Sequence, residues 1–521
     1  MSLSEREKSL LCLAAIAAAA LLAFSPCLFN DFLFMDDPQL VWQNLIIRDL
    51  SPAGLARLFF HPPADLYMPL VFLTYAIEYH FFGVEPMAYH ATNILLHALN
   101  AGLVFLFLRP FFKSLWPVFA AALIFTVHPL NVETVAWVSQ RKDVLFFFFA
   151  ALSLALHTRR ARTGHGKDDA PALIAFALAL LSKPMAVTLP ALFVLTDVCL
   201  FKQGWRASLR SKALFFLLAG VFSVWTVMVF VEGGHIRPVA AGWWSNMPFY
   251  GLVQYFSKMA LPLRLAAFYP FPGKDDPSLL AAPFIAAAFA VLLLFLKRVP
   301  RVFFGLVFFV IALLPVLQLI PVGRTPVADR YVYLPSIGLF FIFAEAVAFT
   351  ASKSRAGRLL AVAGTVAVFV SFMNLTFDRC KIWKNDATLY GDNIAVYPTV
   401  HPAYYCLAGY SYVQGQLDSA LAQINQAIAV EPDYAYDLHL RSIIYGSMGR
   451  TRESLQDADQ ALLLCPGCAE FYNDRGVTYG NLGRYEEAAA DFRKTIELDP
   501  SRAQARRDLE KTLAIIKTIK N

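Results

Sequence analysis

Long apolar runs constrain the fold of this chain more than any other feature of its sequence. A helix crosses a bilayer with roughly 17–25 apolar residues, and about eleven runs approach this length. They lie near residues 9–29, 88–108, 116–130, 143–158, 170–182, 184–201, 212–231, 279–296, 302–320, 332–350 and 358–377. Only 16% of the 521 residues are charged, against about 25% in a typical soluble domain. The sequence therefore predicts an all-α, polytopic membrane helix bundle.

Two further apolar features need a separate interpretation. The segment 248–265 is broken by two prolines and carries two basic residues, so we expect it to be interfacial or re-entrant. The first run, 9–29, has a short basic start like that of a signal peptide. No Ala-x-Ala cleavage site follows it, so we expect an uncleaved anchor.

The loops between these runs differ in charge, and the difference predicts an orientation. Lys and Arg form six clusters that fall in alternate loops, at Arg6/Lys8, Arg109/Lys113, Arg159–Lys167, Lys202–Lys212, Lys297–Arg301 and Lys353–Arg358. Because cytoplasmic loops carry the excess of Lys and Arg, we expect this side and the N-terminus in the cytoplasm. The outer side then receives the loops 30–87, 131–142, 232–278 and 321–331 and everything after residue 378. The net charge of +7 lies in these short clusters, so it indicates topology and no nucleic-acid partner.

A 34-residue period organises the C-terminal part of the chain. Four prolines and three glycines recur with this spacing, at Pro398, Pro432, Pro466 and Pro500 and at Gly415, Gly449 and Gly483. This period, with small residues where paired helices approach, is typical of the tetratricopeptide (TPR) helix-turn-helix repeat. We therefore expect a transmembrane domain over 1–378, a connecting helix over 379–397 and a TPR domain over 398–521. The TPR domain should hold about three repeats and a capping helix, close to the minimum for a stable stack.

Cys465 and Cys468 flank a Pro-Gly pair at a junction between two repeats. In an oxidising outer compartment they would close a local disulfide, and free thiols in a turn are the alternative. A redox enzyme would need a thioredoxin-like βαβ context, which the sequence lacks. A zinc site would need a second pair of ligands, and the sequence shows none.

Two adjacent carboxylates, Asp36 and Asp37, follow the first apolar run by a few residues. Anchoring at a membrane surface favours Lys, Arg, Trp and Tyr, so an acidic pair there is a candidate for chemistry. A helix cap or a solvated loop is the alternative interpretation.

The other outer loops carry further charged side chains. These are His128, Glu133, Arg141, Lys142 and Asp143 after the third run, Lys183 in the next outer turn, and Arg324, Asp329 and Arg330 in a later loop. Arg141 and Lys142 oppose the positive-inside trend, so each is expected to have a local partner. That partner is either an acidic side chain, with Asp143 or Glu133 as candidates, or a phosphate.

These residues and their order resemble bacterial relatives of the transmembrane-and-TPR O-mannosyltransferases, which are similar to the protein O-mannosyltransferases of the GT-C superfamily. The resemblance covers nearly the whole chain and is carried by Asp36-Asp37, the run from His128 to Asp143, Ser182-Lys-Pro, and Asp329-Arg-Tyr-Val-Tyr-Leu-Pro-Ser. It implies a GT-C-like, inverting enzyme that moves a sugar from a polyprenyl-phosphate donor to Ser or Thr of an exported protein. It also implies a multi-pass protein of the bacterial inner (cytoplasmic) membrane with a periplasmic TPR domain that binds the acceptor.

The resemblance further implies roles for individual residues. The acidic motif would supply the catalytic base, with Asp36 as first choice and Asp37 as second, because the motif of the O-mannosyltransferases is Asp-Glu. The donor phosphate would be bound by Arg141, Lys142, Arg330 and Lys183, with His128, Glu133, Asp143, Arg324 and Asp329 as supporting polar groups. Paired carboxylates can hold a divalent metal, but family behaviour favours metal-independent transfer, and the lipid-linked donor is the one cofactor-like molecule implied.

Two other functions fit parts of the sequence. A related enzyme would glycosylate a glycolipid or polysaccharide, and the repeats favour a protein acceptor only by analogy. A non-catalytic membrane TPR scaffold that recruits envelope proteins would leave the outer Asp, Arg and Lys residues without a role. A transporter is disfavoured because the charges cluster on one face and not at mid-membrane depth.

Overall fold

The computed structural model describes residues 4–60, 67–163, 169–232, 243–273, 275–319, 325–500 and 502–520. Across these ranges the regular structure is helical and contains no strand, which confirms the predicted all-α class. The chain divides into two compact units, Met1–Leu389 and Tyr390–Asn521.

The first unit is built from helices joined by short loops and single turns. They are α1 Glu5–Phe24, α2 Pro52–Phe60, α3 Pro69–Phe82, α4 Pro86–Leu108, α5 Leu115–Thr126, α6 Val132–Ala136, α7 Arg141–Thr163, α8 Ala170–Leu180, α9 Leu189–Cys199, α10 Trp205–Ser211, α11 Ala213–Glu232, α12 Met247–Ala260, α13 Pro277–Leu296, α14 Pro300–Leu313, α15 Ser336–Lys353 and α16 Arg355–Ile382. Three 3₁₀ turns carry residues of the predicted site, at Pro129–Asn131, Val138–Gln140 and Asp329–Val332.

Each of the eleven predicted spans coincides with an apolar helix. Within the described ranges, six helices are long and apolar enough to cross a membrane, and α10 with α11 would form a seventh span bent by 63°. The remaining four coincide with shorter apolar helices, Leu115–Thr126, Ala170–Leu180, Pro184–Cys199 and Pro300–Val316. Helix length therefore supports six of the spans, and a seventh if α10 and α11 form one bent span. The other four stay predictions.

Helix α4 forms the centre of the first unit and carries buried polar side chains that must find partners inside the bundle. His97 bonds the Tyr333 hydroxyl at 2.6 Å through Nδ1 and the Thr126 carbonyl at 2.9 Å through Nε2. The Asn100 amide donates to the Val144 carbonyl at 2.9 Å and to the Tyr333 hydroxyl at 3.2 Å. These bonds join α4 to α5, to α7 and to the chain just before α15, which sets the positions of three loops of the predicted site.

Buried ion pairs join the end of α7, the start of α8, the end of α9 and helix α10. His157 Nε2 lies 2.8 Å from Asp197 Oδ1, and the Ser208 hydroxyl donates to Asp197 Oδ2 at 2.6 Å. Lys212 Nζ lies 2.7 Å from Asp169 Oδ2, with the lysine side chain 2% exposed. Because an unpaired buried charge is strongly destabilising, these pairs fix four helix ends relative to one another.

Helices α14 and α15 cross at two glycines, Gly305 and Gly338. A Cβ atom added to either glycine would clash with the backbone carbonyl of the other. Small residues at a membrane helix crossing let the backbones approach closely, and here the approach is close enough to exclude any side chain.

We expect Gly338→Ala to destabilise the first unit by about 1–3 kcal/mol, the usual cost of overpacking a tight core. Thermal unfolding of the purified protein in lipid nanodiscs measures this change. Gly364→Ala in α16 is the matched control, because open space surrounds that glycine. Equal melting temperatures for the two variants would contradict the tight crossing.

The second unit shows the repeat pattern that the 34-residue period predicts. Its helices are α18 His401–Val413, α19 Leu417–Val430, α20 Ala435–Ser447, α21 Thr451–Leu464, α22 Ala469–Asn481, α23 Tyr485–Leu498 and α24 Ala503–Lys520. The periodic glycines Gly415, Gly449 and Gly483 have φ of +73°, +74° and +74° and end the first helix of each pair. In place of one connecting helix over 379–397, α16 ends at Ile382 and α17 spans Asp386–Val396.

An arginine in the first helix of the second and third repeats bonds two successive repeats. Arg441 bonds both carboxylate oxygens of Asp457 at 2.6 and 2.9 Å and the Asn425 amide oxygen at 2.9 Å. The same contacts recur 34 residues later between Arg475, Asp491 and Asp459. Because Asn425 and Asp459 belong to the preceding repeat, each guanidinium links its own helix pair to the one before.

We expect Arg475→Leu to destabilise the third repeat by about 2 kcal/mol, because it leaves the buried Asp491 without its charged partner. Hydrogen-exchange mass spectrometry of the full-length protein should show faster exchange in α22 and α23. Arg484→Leu is the control, since that residue forms an exposed pair with Glu487. A similar acceleration in both variants would argue against the inter-repeat bond.

Candidate active site

The chain folds back after α1 and is fixed by three bonds to the end of α16 and the turn that follows. The Asn30 amide donates to the Cys380 carbonyl at 3.2 Å, and the Asp31 N–H donates to the Lys384 carbonyl at 2.8 Å. The Phe34 N–H donates to the Asp386 carboxylate at 2.9 Å. These bonds place the acidic pair at the start of a π-helical turn, Pro38–Trp42.

Asp37 is completely buried. Its Oδ2 accepts the Leu33 N–H at 2.8 Å, and its Oδ1 accepts the Ser139 N–H at 3.0 Å and the Ser139 hydroxyl. Burial raises the pKa of the Asp37 carboxyl to about 7, although the bonds from Ser139 and Leu33 act to lower it. Since both oxygens are occupied by protein donors, this carboxyl cannot reach a substrate hydroxyl without breaking those bonds.

Asp36 has the opposite environment. Its side chain is 42% exposed, and its Oδ2 lies 3.3 Å from Lys142 Nζ. The two neighbouring carboxyls therefore differ in access, and Asp36 is the one that can accept a proton from an incoming hydroxyl.

Three cations and two aromatic rings form a continuous cluster beside Asp36, which we call the cation cluster: Lys142, Trp137, Arg330, Tyr331 and Lys183. The Trp137 ring lies 5.9 Å from Lys142 Nζ and 5.7 Å from the Arg330 guanidinium. The Tyr331 ring lies 4.8 Å from Arg330 and 5.6 Å from Lys183. The three cationic side chains are 15–17% exposed, so they are partly desolvated and still reachable.

Two buried carboxylates hold the cation cluster in place. Glu133 bonds the Arg330 guanidinium and accepts the Arg330 N–H at 2.9 Å. Asp143 Oδ1 lies 2.6 Å from Lys183 Nζ. Burial lowers the pKa of Lys183, and Asp143 opposes this effect. The predicted supporting acids thus fix the direction in which two of the cations point.

Arg141 does not join the cation cluster. It is completely buried and forms a two-fold pair with Glu78, with N···O distances of 3.1 and 3.0 Å. It also donates to the Tyr89 carbonyl at 2.9 Å and to the side chain of Asn93. Its partner is therefore neither Asp143 nor Glu133, the two candidates from the sequence, and its geometry favours a structural role over binding a phosphate.

We expect Arg141→Met to destabilise the protein by roughly 3–5 kcal/mol, because it leaves the buried Glu78 without a partner. The double variant Arg141→Met, Glu78→Met should recover most of that loss, since it removes both charges at similar volume. Lys142→Met is the control at a partly exposed neighbour. Thermal unfolding in nanodiscs decides; a double variant as unstable as the single one would contradict the pairing.

Three other predicted residues lie apart from the cation cluster or outside the described ranges. His128 is buried, and its Nε2 bonds the Met259 carbonyl at 3.2 Å, so it packs loops together. Asp329 is buried and accepts the Tyr269 hydroxyl at 2.6 Å, and burial raises its pKa. Arg324 lies outside the described residues.

The structure also bears on the possible metal site and on the cysteine pair. In the part of the chain that the structure describes, no group of three or more His, Cys, Asp or Glu side chains could hold a metal ion. The Asp37 oxygens already accept protein hydrogen bonds, so Asp36 and Asp37 do not present a joint chelating pair. The structure joins Cys465 and Cys468 by a disulfide, the first of the two alternatives from the sequence.

Several residues that shape the site were not singled out from the sequence. Glu78 is a lone acid in the apolar helix α3, and that isolation could have marked it as the partner of a buried cation. Trp137 and Tyr331 lie within the segments that carry the resemblance, but their contacts with the cations need the tertiary structure. Nothing in the sequence marks Ser139 as the donor to Asp37.

Comparisons with known proteins match both parts of the chain. The family model described as dolichyl-phosphate-mannose-protein mannosyltransferase matches residues 61–231. The family model described as tetratricopeptide repeat matches residues 469–502. The first match includes Lys142 and Lys183 of the cation cluster and the segment that holds Glu133 and Asp143.

Curated relatives match most of the chain. Protein O-mannosyl-transferase TMTC1 of Homo sapiens is 24% identical over 82% of this chain and 56% of its own length. Protein O-mannosyl-transferase F38B6.6 of Caenorhabditis elegans is 21% identical over 80% of this chain and 62% of its own length. The chain therefore spans about three fifths or less of the length of these relatives.

Together, the fold and the matches describe a helical membrane protein in which residues 61–231 resemble a mannosyltransferase domain and the second unit contains TPR repeats. Within that class, the chain resembles the O-mannosyltransferase-like transmembrane-and-TPR proteins, in agreement with the order of its acidic and basic motifs.

Proposed function

We propose that this protein is an integral-membrane glycosyltransferase. It would move a sugar, mannose in the description of the matching family, from a polyprenyl-phosphate donor to Ser or Thr of an exported protein. One observation carries the proposal: an accessible carboxylate, Asp36, lies 3.3 Å from Lys142 at the edge of a cluster of three partly buried cations. A proton acceptor beside a phosphate-binding group is what transfer from a lipid phosphate to a hydroxyl requires.

In this proposal Asp36 is the general base. The acceptor hydroxyl gives its proton to Asp36 while its oxygen forms a bond to the anomeric carbon of the sugar. The bond from that carbon to the phosphate oxygen breaks, and the lipid phosphate keeps the electron pair. Attack on the face opposite the leaving group inverts the anomeric centre.

The cation cluster stabilises the leaving phosphate in this proposal. Arg330 binds phosphate as a planar fork, whereas Lys142 and Lys183 act as point charges. Lys142 pairs with Asp36 in the structure, so a bound phosphate would compete for Lys142 and leave the Asp36 carboxylate free to accept a proton. Asp37 is a positioning residue, because it holds the loop that carries Asp36 against Ser139.

The location and the acceptor follow from charge and repeats. The six alternate basic clusters favour a cytoplasmic N-terminus, which puts the segments with Asp36, the cation cluster and the repeats outside the cytoplasm. We propose a bacterial inner-membrane protein that acts on the outer face. The TPR repeats would bind the exported acceptor, since stacked repeats offer an extended binding surface for other proteins.

We expect Asp36→Asn to lower sugar transfer about 10²–10⁴-fold, the usual contribution of a general base. Folding and donor binding should be retained, because the Asp36 side chain is partly exposed and, among the described residues, pairs with Lys142 alone. Asp37→Asn should lower thermal stability as well as transfer. The exposed Asp378, which pairs with Lys381, supplies the control variant Asp378→Asn.

The measurement is the intact mass of envelope proteins and of membrane lipids from strains that express each variant. Loss of hexose from a protein in the Asp36→Asn strain, with normal hexose in the Asp378→Asn control, supports protein glycosylation. Loss from a glycolipid or polysaccharide would replace the acceptor in the proposal. Unchanged glycosylation of every envelope molecule, with full complementation of a deletion, would leave the scaffold as the better explanation.

A further inference from the structure

Five buried side-chain atoms that have no hydrogen-bond partner among the described residues lie within one ten-residue segment of the first unit. They are Thr134 Oγ1, Trp137 Nε1, Gln140 Nε2, Gln140 Oε1 and Asp143 Oδ2. The four residues are at most 3% exposed. Other polar side chains of the same segment, such as Ser139 and Arg141, do form hydrogen bonds within the protein. The segment is therefore not simply a poorly bonded loop.

Unpartnered polar atoms in a buried place are costly and rare, since about 90% or more of buried polar groups are bonded in native proteins. Three of these residues, Trp137, Gln140 and Asp143, belong to the part of the segment near the cations, and Trp137 and Asp143 contact the cations directly. The Trp137 ring is within 6 Å of both Lys142 and Arg330, and the other oxygen of Asp143 pairs with Lys183. Gln140 ends the turn between Trp137 and α7, with its N–H bonded to the Trp137 carbonyl at 3.0 Å.

The chemistry of these atoms matches a sugar better than a second phosphate. Trp137 Nε1 is a donor, Asp143 Oδ2 is an acceptor, and the Gln140 amide offers one of each. A phosphate oxygen accepts only, and a carboxylate oxygen would repel it. A sugar hydroxyl both donates and accepts, so a ring with several hydroxyls can satisfy all three residues.

We propose that Trp137, Gln140 and Asp143 recognise the hydroxyl groups of the sugar carried by the lipid phosphate and so determine which sugar is accepted. This inference rests on the proposed function, because it places the sugar next to the phosphate bound by the cation cluster. Other side chains cover these atoms in the structure, so a donor that binds here must displace those side chains. In return, the unpartnered atoms gain hydrogen bonds to the sugar hydroxyls.

One variant separates recognition of the sugar from support of the fold. Gln140→Met removes the unpartnered amide and keeps most of the side-chain volume, and Gln140 makes no contact with the cations that the structure records. Because this change removes no side-chain hydrogen bond within the described residues, it should not lower the melting temperature. Trp116→Phe is the matched control: its indole N–H is also buried and unpartnered, but it lies at the other end of α5 from the cation cluster.

The experiment measures equilibrium binding of two lipids to full-length protein in nanodiscs without an acceptor. The probes are polyprenyl phosphate and polyprenyl-phosphate mannose. We expect Gln140→Met to weaken binding of the mannosyl lipid about five- to tenfold, the value of one hydrogen bond. Binding of polyprenyl phosphate should change less than twofold, and Trp116→Phe should change neither. A set of deoxy-mannose lipids then identifies the hydroxyl, because Gln140→Met should show no further loss with the analogue that lacks it.

The outcomes separate this inference from the proposed function. Equally weakened binding of both lipids, or no change in either, overturns sugar recognition by these residues and leaves the proposed function standing. Failure of the wild type to bind either lipid, or to transfer sugar, overturns the proposed function and the inference with it. Selective loss for the mannosyl lipid, with unchanged melting temperatures, supports the inference.

Discussion

The candidate site depends on the contact between Asp37 and Ser139, which are 102 residues apart in the chain. The Asp37 carboxyl is sealed from solvent and is stable there only because protein donors reach both of its oxygens. The contact fastens the loop after α1 to the turn before α7. Since Asp36 and Lys142 are near neighbours of the two bonded residues, the same contact brings them within 3.3 Å of each other.

Two charged doublets of the sequence have members with opposite fates. Asp37 and Arg141 are buried and bonded, whereas Asp36 and Lys142 are partly exposed and pair with each other. Adjacent residues in a turn or at a helix start do not share a face, so one side chain can secure the fold while its neighbour meets solvent. As a result, Asp36 and Lys142 lie on backbone segments that the bonds of Asp37 and Arg141 hold in place.

Much of the fold could be predicted because it follows from periodic patterns. The apolar runs predicted the positions of helices in the first unit, and the 34-residue spacing predicted the helix pairs and the left-handed glycines of the second. The structure brings three residues of the candidate list together, Lys142, Lys183 and Arg330, and their role in a site stays a prediction. Arg141 was grouped with them because sequence proximity carries no information about which side of a turn a side chain leaves. Its partner, Glu78, lies in another helix 63 residues away.

The sequence by itself determined that this is a helical membrane protein with a stacked-repeat domain, because hydrophobic length and repeat period are properties of local segments. It also determined which charges oppose the expected orientation. Only the tertiary structure decided which acid is accessible, which cation is structural and which polar atoms lack a partner. Burial and pairing depend on contacts between segments far apart in the chain. The energetic cost of burying a charge is large, and it cannot be predicted from the local sequence around that charge.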